Sequence, residues 1–420
     1  MPKQVTFIHA ADLHFGAPFR GLASLSPFWE NRLLSAIPES YDRVIDAAIR
    51  GKVDFVIIAG DIFDSAKASY ADHLRFLDGL KRLEGAHIPA YLCTGNHDPY
   101  TSWQQESFPF PQNTVMLPSD RPGYYAFEKE GEALALIGGR GFYNQSWPLE
   151  TSIAKGVSRK AAEEALGVHA PFAIGILHTG LYLDPLKAPT DPKELLHAGM
   201  DYWALGHLHL RYTYPKANPK LVFPGCIQGR DIKETGERGV FKVTLTEGRA
   251  NQLEFIPTAS VVWQRMSVDV SACKSLSDVY EQAMREMFRT NGEAHCEEMC
   301  VRITLVGATR LHGLIGQPEV LRSLRKEIND TYPVFYCDTL VDKTTAPFDK
   351  AALAEEGLFP SVLLQAFAAL KESTDDSLDF LQGEFLRRGL QLPHNFEKEL
   401  PGLLEEAEGL ALDLLCGSGA

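Results

Sequence analysis

Short apolar runs alternate with helix-period stretches over the first part of the chain. The runs cover residues 5–10, 55–59, 90–93, 134–137, 172–177, 202–205 and 221–223. Apolar positions recur three or four residues apart in two stretches between the early runs, from Leu33 to Ile45 and from Leu74 to Leu83. Runs this short indicate buried strands, whereas the wider spacing indicates helices with one apolar face. The alternation predicts a layered α/β domain over residues 1–255.

The pattern changes after residue 262. The following elements are a strand at 266–270, a helix at 277–289, a strand through 301–305, a helix at 318–328 and a strand at 334–340. They predict a small α/β capping domain at residues 262–345, with a half-open ferredoxin-like sheet. Residues 350–420 are rich in Leu and Ala at helical spacing, with breaks near Gly389 and Pro401. We expect two or three amphipathic helices there.

Charge is distributed unevenly along the chain. The formal net charge of −14 argues against a protein that simply coats nucleic acid. Residues 351–420 hold 13 acidic and 4 basic side chains, a net of −9, which leaves −5 for the first 350 residues. No apolar run approaches the roughly 20 residues of a membrane span, and the N-terminus has no signal-peptide layout. With seven scattered cysteines, these features predict a cytoplasmic protein without a membrane anchor.

Five polar clusters follow predicted strands directly. They are Asp12-Leu13-His14, Gly60-Asp61, Gly95-Asn96-His97-Asp98, His178-Thr179-Gly180 and Gly206-His207-Leu208-His209. In layered α/β folds, ligands bind beyond the carboxyl ends of the strands, so these clusters should converge in space. A single histidine behind a strand is more often structural, but five such clusters in order favour a functional site.

The residue types suit divalent metal ions. Aspartate combined with imidazole favours manganese, iron or zinc, and the absence of thiolates excludes a structural cysteine-type zinc site. Seven Asp, Asn and His side chains are too many for one ion that keeps an open position. They suffice for two ions about 3.5–4 Å apart with one bridging carboxylate. We expect glycines at 60, 95 and 206 to let the backbone turn sharply beside the metals.

The order D-x-H, G-D, G-N-H-D, H-x-G, G-H-x-H resembles that of the calcineurin-like metallophosphoesterases. Their β-sandwich flanked by helices is therefore the expected fold of residues 1–255. The strings at 10–16 and 60–64 look more specifically like bacterial DNA-repair exonucleases of the SbcD/YhaO type, and residues 224–236 are most similar to the YhaO branch. The resemblance is strong over residues 1–245 and weak beyond.

The resemblance implies a site residue by residue. One metal would be held by Asp12, His14, Asp61 and His209. The second would be held by Asp61, Asn96, His178 and His207, with Asp61 as the bridge. His97 would be a catalytic residue and not a ligand, with Asp98 orienting it. Some nucleases of this group carry a second histidine where this chain has Asp64, which puts any role of that histidine in doubt here. We expect two divalent ions, with manganese as the metal.

The expected function is a metal-dependent DNA exonuclease of DNA repair. Two cations would neutralise the phosphodiester and lower the pKa of a water, so that hydroxide attacks phosphorus while His97 assists the leaving oxygen. The resemblance adds an SMC-like ATPase as partner of the C-terminal helices, and a homodimer is a further expectation. The digestion polarity, the strand preference and the stoichiometry stay open.

Two alternatives compete with this function. One is a phosphatase or small-molecule phosphodiesterase of the same superfamily, and the other is a metal-binding scaffold with little activity. The extra domain argues against the first, and the complete ligand set argues against the second. Arg20, Arg140 and Arg230 lie in glycine-containing loops and are candidate phosphate contacts. For each of them an ion-paired or solvated arginine is the favoured alternative.

Overall fold

A computed structural model of the protein describes residues 2–19, 27–103, 106–294, 296–355, 357, 359–388, 390, 392 and 396–416. Two compact units divide the chain. One comprises Met1–Gln264 with Ala294–Cys300, and the other comprises Arg265–Glu293 with Val301–Ala420. Within the described residues, no helix has both the length and the apolar character that crossing a bilayer requires.

Twelve strands of the first unit form two six-stranded sheets. They are β1 (Gln4–Ala10), β2 (Phe55–Ala59), β3 (Ala90–Cys93), β4 (Thr114–Met116), β5 (Gly123–Lys129), β6 (Glu132–Arg140), β7 (Phe172–His178), β8 (Tyr202–Gly206), β9 (Tyr212–Tyr214), β10 (Leu221–Phe223), β11 (Gly239–Thr246) and β12 (Gln252–Pro257). The first sheet has the order β12-β11-β1-β2-β3-β4, and the second has the order β5-β6-β7-β8-β10-β9. All seven apolar runs lie in these strands.

Parallel pairing dominates the centre of each sheet. Strands β1 to β4 are parallel in the first sheet, and β6, β7, β8 and β10 are parallel in the second. Antiparallel strands lie towards the edges, where β11 pairs with β1 and β5 pairs with β6. The carboxyl ends of the central strands therefore meet at one edge of each sheet.

The main core lies between the two sheets. Phe7 and Phe55 of the first sheet stack at 4.9 Å, and Tyr202 of the second meets Phe7 edge-on at 5.3 Å. A second apolar cluster, which includes Trp203, lies on the other face of the second sheet. Strands buried on both faces need continuous apolar runs, which explains why the sequence pattern found them.

Helices flank both sheets. They are α1 (Pro27–Arg50), α2 (Tyr70–Gly85), α3 (Arg159–Leu166) and α4 (Pro192–His197). Helices α1 and α2 pack together, and the Tyr41 hydroxyl donates a hydrogen bond of 3.0 Å to the Phe76 carbonyl. Leu195 of α4 is buried, and its carbonyl accepts a hydrogen bond from the indole of Trp203. The unit is thus a layered α/β sandwich flanked by helices, as expected.

A three-stranded sheet with the order β13-β14-β15 belongs to the second part of the chain. Its elements are β13 (Val261–Asp269), α5 (Leu276–Ala294), β14 (Glu298–Ala308), α6 (His312–Ile315), α7 (Pro318–Thr331) and β15 (Phe335–Thr345). Each of the five elements predicted between residues 262 and 345 corresponds to one of these. The short helix α6 was not predicted, because four residues are too few to show a helical period.

Four helices follow β15 along the chain: α8 (Lys350–Glu355), α9 (Phe359–Glu372), α10 (Thr374–Arg387) and α11 (Phe396–Cys416). Glu408 accepts ion pairs from Lys350 at 2.6 Å and Lys371 at 2.8 Å, which join α11 to the helices before it. The predicted break at Pro401 is wrong, because α11 runs through that proline. Gly389 lies outside the described residues. The three predicted domain boundaries stay predictions.

Candidate metal centre

The loops after the central strands run side by side. The amide of Asp12, after β1, donates to the carbonyl of Gly60 at 3.2 Å, and the amide of His14 donates to the carbonyl of Asp61 at 3.0 Å. From the second sheet, the amide of His207 donates to Asp12 Oδ1 at 3.0 Å. Residues far apart in sequence therefore share one edge of the sandwich.

A first cluster forms where these loops meet. Ligand-type atoms of Asp12, His14 and His209 all lie within 4.8 Å of one another. The Nε2 atoms of His14 and His209 are 3.0 Å apart, and Asp61 Oδ2 lies 3.8 Å from His14 Nε2. Both carboxylates are almost fully buried. These three residues and the adjacent Asp61 are the four side chains that the resemblance assigns to one metal.

A second cluster adjoins the first through Asp61. Ligand-type atoms of Asp61, His178 and His207 also lie within 4.8 Å of one another. His178 Nε2 is 3.3 Å from Asp61 Oδ2 and 3.2 Å from Asn96 Oδ1. Asp61 belongs to this second group and lies 3.8 Å from His14 Nε2 of the first, so it stands between the two groups, where a bridging carboxylate would lie.

The histidine tautomers indicate where a cation fits in the first cluster. Nδ1 of His14 lies 3.0 Å from Asp64 Oδ1, and Nδ1 of His209 lies 2.5 Å from Glu234 Oε1. With the proton of each ring on the Nδ1 beside its carboxylate, each Nε2 would present a lone pair to the other ring. Two lone pairs facing each other repel unless a cation lies between them. Two ligands at right angles, each about 2.1 Å from an ion, would be about 3.0 Å apart, so the pair suits a divalent metal.

His178 leads to the same conclusion in the second cluster. Its Nδ1 donates to the carbonyl of Ala59 at 2.9 Å, so the lone pair of Nε2 faces the oxygens of Asp61 and Asn96. Burial opposes a charge on His178, but the adjacent Asp61 outweighs it and raises the histidine pKa to about 9. Burial likewise opposes ionisation of Asp61, yet His178 and His14 hold its pKa well below the ordinary value. The site therefore favours a positive charge between these groups.

The backbone is strained at the centre. Asp12, His14 and Asp61 have φ angles of 52°, 53° and 48°, and His207 has a φ of 106°. Left-handed backbone is uncommon for residues other than glycine and clusters at functional sites, because the surrounding structure must hold it. Four residues of the two clusters have a positive φ. The conformation that orients these side chains therefore has a local cost in stability.

Two different physical reasons explain why glycine occupies the positions next to these residues. Gly60 has a φ of 84°, as expected for a sharp turn. Gly95 does not, but a Cβ on it would lie 2.0 Å from Asp61 Oδ1. Similarly, a Cβ on Gly206 would lie 1.9 Å from the Ala59 carbonyl. Glycine is therefore required at positions 95 and 206 because a side chain would not fit there, and not because of the sharp turn that we expected.

His97 lies at the edge of the first cluster. Its ring meets the ring of His14 at 5.0 Å, and its Nδ1 contacts the carbonyl of Asp64 at 2.7 Å. Its own amide donates to Asp61 Oδ1 at 2.9 Å. His97 also lines a cavity of about 230 Å³ together with Arg230 and Glu234. Nδ1 is thereby engaged, and Nε2 is the remaining polar atom of the ring.

Asp98 does not hold the ring of His97 through its described hydrogen bonds. Its carboxylate accepts the amides of Ile62 at 2.9 Å and Gly95 at 2.8 Å, so it ties two metal-centre loops together. Burial and the adjacent Asp61 raise its pKa to about 8. The orienting contact expected from Asp98 is made instead by the carbonyl of Asp64.

Three acidic residues around the centre have contacts that the sequence did not reveal. Asp184 Oδ2 lies 2.9 Å from His207 Nε2. Asp64 and Glu234 face His14 and His209, and Arg230 bridges the two carboxylates at 2.8 and 3.3 Å. Such carboxylate partners fix the tautomer and orientation of metal-bound histidines. Asp184 and Glu234 follow no strand, so no positional signal marked them.

The candidate phosphate-contacting arginines have different surroundings. Arg230 is ion-paired beside the centre, as the alternative interpretation expected. Arg140 donates to the carbonyl of Asp120 at 2.6 Å and lies 4.9 Å from the ring centre of Trp147. Arg20 lies outside the described residues.

Comparison with known proteins adds an independent observation. A family model described as calcineurin-like phosphoesterase matches residues 5–211, and one described as metallophosphoesterase YhaO, middle domain, matches residues 263–345. The chain is 34% identical over 310 residues to the uncharacterized metallophosphoesterase YhaO of Bacillus subtilis, covering 73% of each chain. It is 24% identical over 297 residues to the DNA double-strand break repair protein Mre11 of Aeropyrum pernix, covering 68% of each. The crystal structure of TT1561 of Thermus thermophilus matches with 13% identity and a TM-score of 0.37, covering 61% of this chain and 100% of that chain.

Proposed function

From the premise that the chain belongs to the calcineurin-like metallophosphoesterases, we propose that it hydrolyses phosphodiester bonds of DNA at two divalent metal ions. The family hydrolyses phosphoester bonds with divalent metals, and this chain has the residue groups to hold them. The observation that carries the proposal is the position of Asp61, which belongs to the second ligand group and lies 3.8 Å from His14 of the first. A shared carboxylate holds two ions close enough to act on one phosphate.

The proposed ligand sets follow the two clusters. Asp12, His14, Asp61 and His209 would hold one ion. Asp61, Asn96, His178 and His207 would hold the other. Mixed carboxylate, amide and imidazole donors suit manganese, which we propose as the metal. When bound, the ions supply positive charge against the phosphodiester and a water of lowered pKa as nucleophile.

His97 would assist departure of the leaving oxygen. Its Nδ1 is engaged by the Asp64 carbonyl, which fixes the ring and leaves Nε2 for the substrate. The imidazole is partly exposed and lines the cavity beside the first cluster. A protonated Nε2 there can donate its proton to the leaving oxygen or stabilise the negative charge on that oxygen, while Nδ1 keeps its hydrogen bond to the Asp64 carbonyl. Asp98 would act indirectly, by holding the loops that carry Asp61 and Asn96.

The choice of DNA rests on the relatives. The similarity to a DNA double-strand break repair protein covers two thirds of this chain. A decisive experiment incubates the manganese-loaded protein with end-labelled DNA, beside bis-nitrophenyl phosphate and a phosphopeptide. We expect mononucleotides from DNA and cleavage of the diester, with the phosphopeptide poorer. Strong phosphopeptide hydrolysis with intact DNA would instead establish the phosphatase alternative. Asp61→Asn serves as the inactive control.

The C-terminal helices would bind a coiled-coil ATPase of the SMC type. Leu400, Leu404 and Leu412 are buried, so α11 has an internal apolar face. Other apolar side chains of the segment remain exposed: Phe359 by 65%, Phe380 by 62%, Leu386 by 63% and Leu414 by 79%. Exposed apolar groups on one segment indicate an interaction surface. Its net charge of −9 disfavours DNA there, which supports a protein partner. The homodimer and the cytoplasmic setting stay predictions from the sequence.

A further inference from the structure

A large apolar pocket lies on the first unit, outside the two ligand clusters. Its volume is about 670 Å³, and three tyrosines line it: Tyr182, Tyr212 and Tyr214. Tyr182 and Tyr214 are 58% and 44% exposed, so their rings are accessible. The hydroxyls of Tyr182 and Tyr212 are 3.1 Å apart. Pockets of this volume with few polar groups typically bind small organic molecules or parts of larger ones.

The walls of the pocket are built on the segments that carry the second ligand cluster. Thr179 follows His178, and its hydroxyl donates to the carbonyl of Ala188 at 2.7 Å and accepts the amide of Leu181 at 3.1 Å. Asp184, in the same loop, contacts His207 Nε2 at 2.9 Å. Tyr212 begins the strand three residues after His209. The loop that carries Tyr182 is therefore joined to the second ligand cluster through the contact of Asp184 with His207.

The loop that forms one wall is held in a strained conformation. Leu181 and Ala188 have φ angles of 49° and 45°, and both side chains are fully buried. A bulky residue such as leucine rarely adopts left-handed backbone, and such strain marks binding sites more often than ordinary surface loops. The hydroxyl contacts of Thr179 fix both ends of this segment. These contacts hold the loop that carries Tyr182.

We propose that this pocket binds a nucleobase of the strand whose phosphodiester lies at the metal centre. The proposal rests on the proposed function. Tyrosine rings stack on any base, and their hydroxyls can meet a base edge, so the pocket would accept different bases. Lys193 and Asp191 both line the pocket, so their charges offset each other and the base contact would come from the tyrosine rings. A phosphopeptide offers no planar heterocycle for these rings.

Two chromogenic diesters test the proposal, since they differ only in the nucleoside. They are thymidine 5′-(4-nitrophenyl phosphate) and methyl 4-nitrophenyl phosphate, which both release nitrophenolate. We expect the manganese-loaded protein to prefer the thymidine ester. Tyr182→Ala and Tyr214→Ala should each lower kcat/KM for that ester by roughly 5- to 100-fold, the range for one lost stacking contact. The methyl ester should be hydrolysed as before.

Two further variants make the result specific. Tyr182→Phe keeps the ring and loses only the hydroxyl contact, so it should retain most of the preference. Tyr70→Ala removes a tyrosine that is 69% exposed on α2 and lies outside the pocket, and it should change neither ester. Equal losses on both esters in the pocket variants would mean that the tyrosines merely support the metal centre. That outcome would overturn the proposal.

A binding measurement separates this proposal from the proposed function. Saturation-transfer NMR with thymidine 5′-monophosphate, in the presence of a chelator, reports base contact without catalysis. Signal on the base protons that disappears in Tyr182→Ala supports the pocket, even if no diester is hydrolysed and the proposed function fails. The opposite outcome is that the protein hydrolyses the diesters, but neither alanine variant changes the thymidine preference or the base signal. That outcome would overturn the pocket proposal and leave the proposed function intact.

Discussion

The Nε2 atoms of His14 and His209 face each other across 3.0 Å, although the residues are 195 positions apart. Asp64 and Glu234 hold the opposite nitrogen of each ring, so neither imidazole can rotate away without losing a carboxylate partner. This opposition of lone pairs is unfavourable by itself. A divalent ion between them turns it into coordination, which makes metal binding the first property to test.

Asp61→Ala should lose most of the metal and the hydrolytic activity. The carboxylate belongs to the second cluster and lies 3.8 Å from His14 of the first, so its removal should weaken the binding of both proposed ions. Elemental analysis of manganese-loaded protein should give two ions per chain for the unaltered protein, in line with a two-metal centre. Asp54→Ala is a matched control, since Asp54 accepts the Thr6 amide and pairs with Lys129 away from the clusters. Full loading of both sites in Asp61→Ala would contradict the assignment.

His97→Ala should keep both ions and lose about 2–5 kcal/mol of transition-state stabilisation, the range for a general acid or a charge-stabilising group. His97 is in neither of the proposed ligand sets, so its removal should leave the metal content unchanged. The measurement compares kcat/KM for bis-nitrophenyl phosphate with the metal content of the same sample. His169→Ala, which removes a histidine side chain 86% exposed, is the control. Loss of metal in His97→Ala would make His97 a ligand.

Glu234→Gln should weaken metal binding by about 10- to 100-fold, the usual cost of losing a partner that orients a histidine ligand. The carboxylate orients His209 and adds negative charge near the first cluster, and the substitution removes both effects. Titration calorimetry with manganese measures the change. Glu254→Gln alters an exposed pair with Lys242 and should leave the affinity unchanged. An unchanged affinity in Glu234→Gln would show that the contact does not serve the metal.

His9→Gln should flatten the pH dependence of stability between pH 6 and 4. Burial lowers the pKa of His9 to about 3, whereas an unfolded histidine titrates near 6.5. Within that window the unfolded chain binds a proton that the folded chain excludes. The free energy of unfolding therefore falls as the pH falls, by up to about 1.4 kcal/mol per pH unit from this group.

Urea unfolding in the presence of a chelator measures this effect. All five tryptophans lie between residues 29 and 263, so their fluorescence follows the first unit. The Tyr202 hydroxyl, 2.8 Å from His9 Nδ1, can also hydrogen-bond an amide side chain. His169→Gln should keep the original slope. The same slope in His9→Gln would mean that His9 does not titrate in this way.

Truncation after Asp349 should abolish association with a coiled-coil ATPase and keep hydrolysis of bis-nitrophenyl phosphate. The removed helices lie in the second unit, and all described metal-centre residues lie in the first. A finer variant, Phe380→Ser with Leu386→Ser, alters only exposed side chains, with Leu34→Ser on α1 as control. Co-purification from native extract measures association. If the tryptophan fluorescence of the truncated protein shows that the first unit is unfolded, the helices have a structural role.

The sequence predicted those parts of the fold and site whose signals are local. Apolar runs such as 55–59 are strands because both faces are buried, and Asp61 was found because it follows one directly. Strand β4, with three half-buried residues, gives no such run. Glu234 and Asp184 act through histidines, and only tertiary structure brings them there. The need for Gly95 also arises from a neighbour 34 positions away, Asp61.

The proposed ligands come from both sheets: Asp12, Asp61 and Asn96 follow strands of one, and His178, His207 and His209 end or follow strands of the other. During synthesis, the proposed sites could therefore form only after residue 207, for one ion, and residue 209, for the other, have left the ribosome and the two sheets have closed on each other. With these ligands, we expect no metal capture by an incomplete sandwich, and metal uptake would report completed folding of the first unit. An ion that binds only the closed form would also oppose separation of the sheets, by about 2.7 kcal/mol at a free concentration 100 times its Kd.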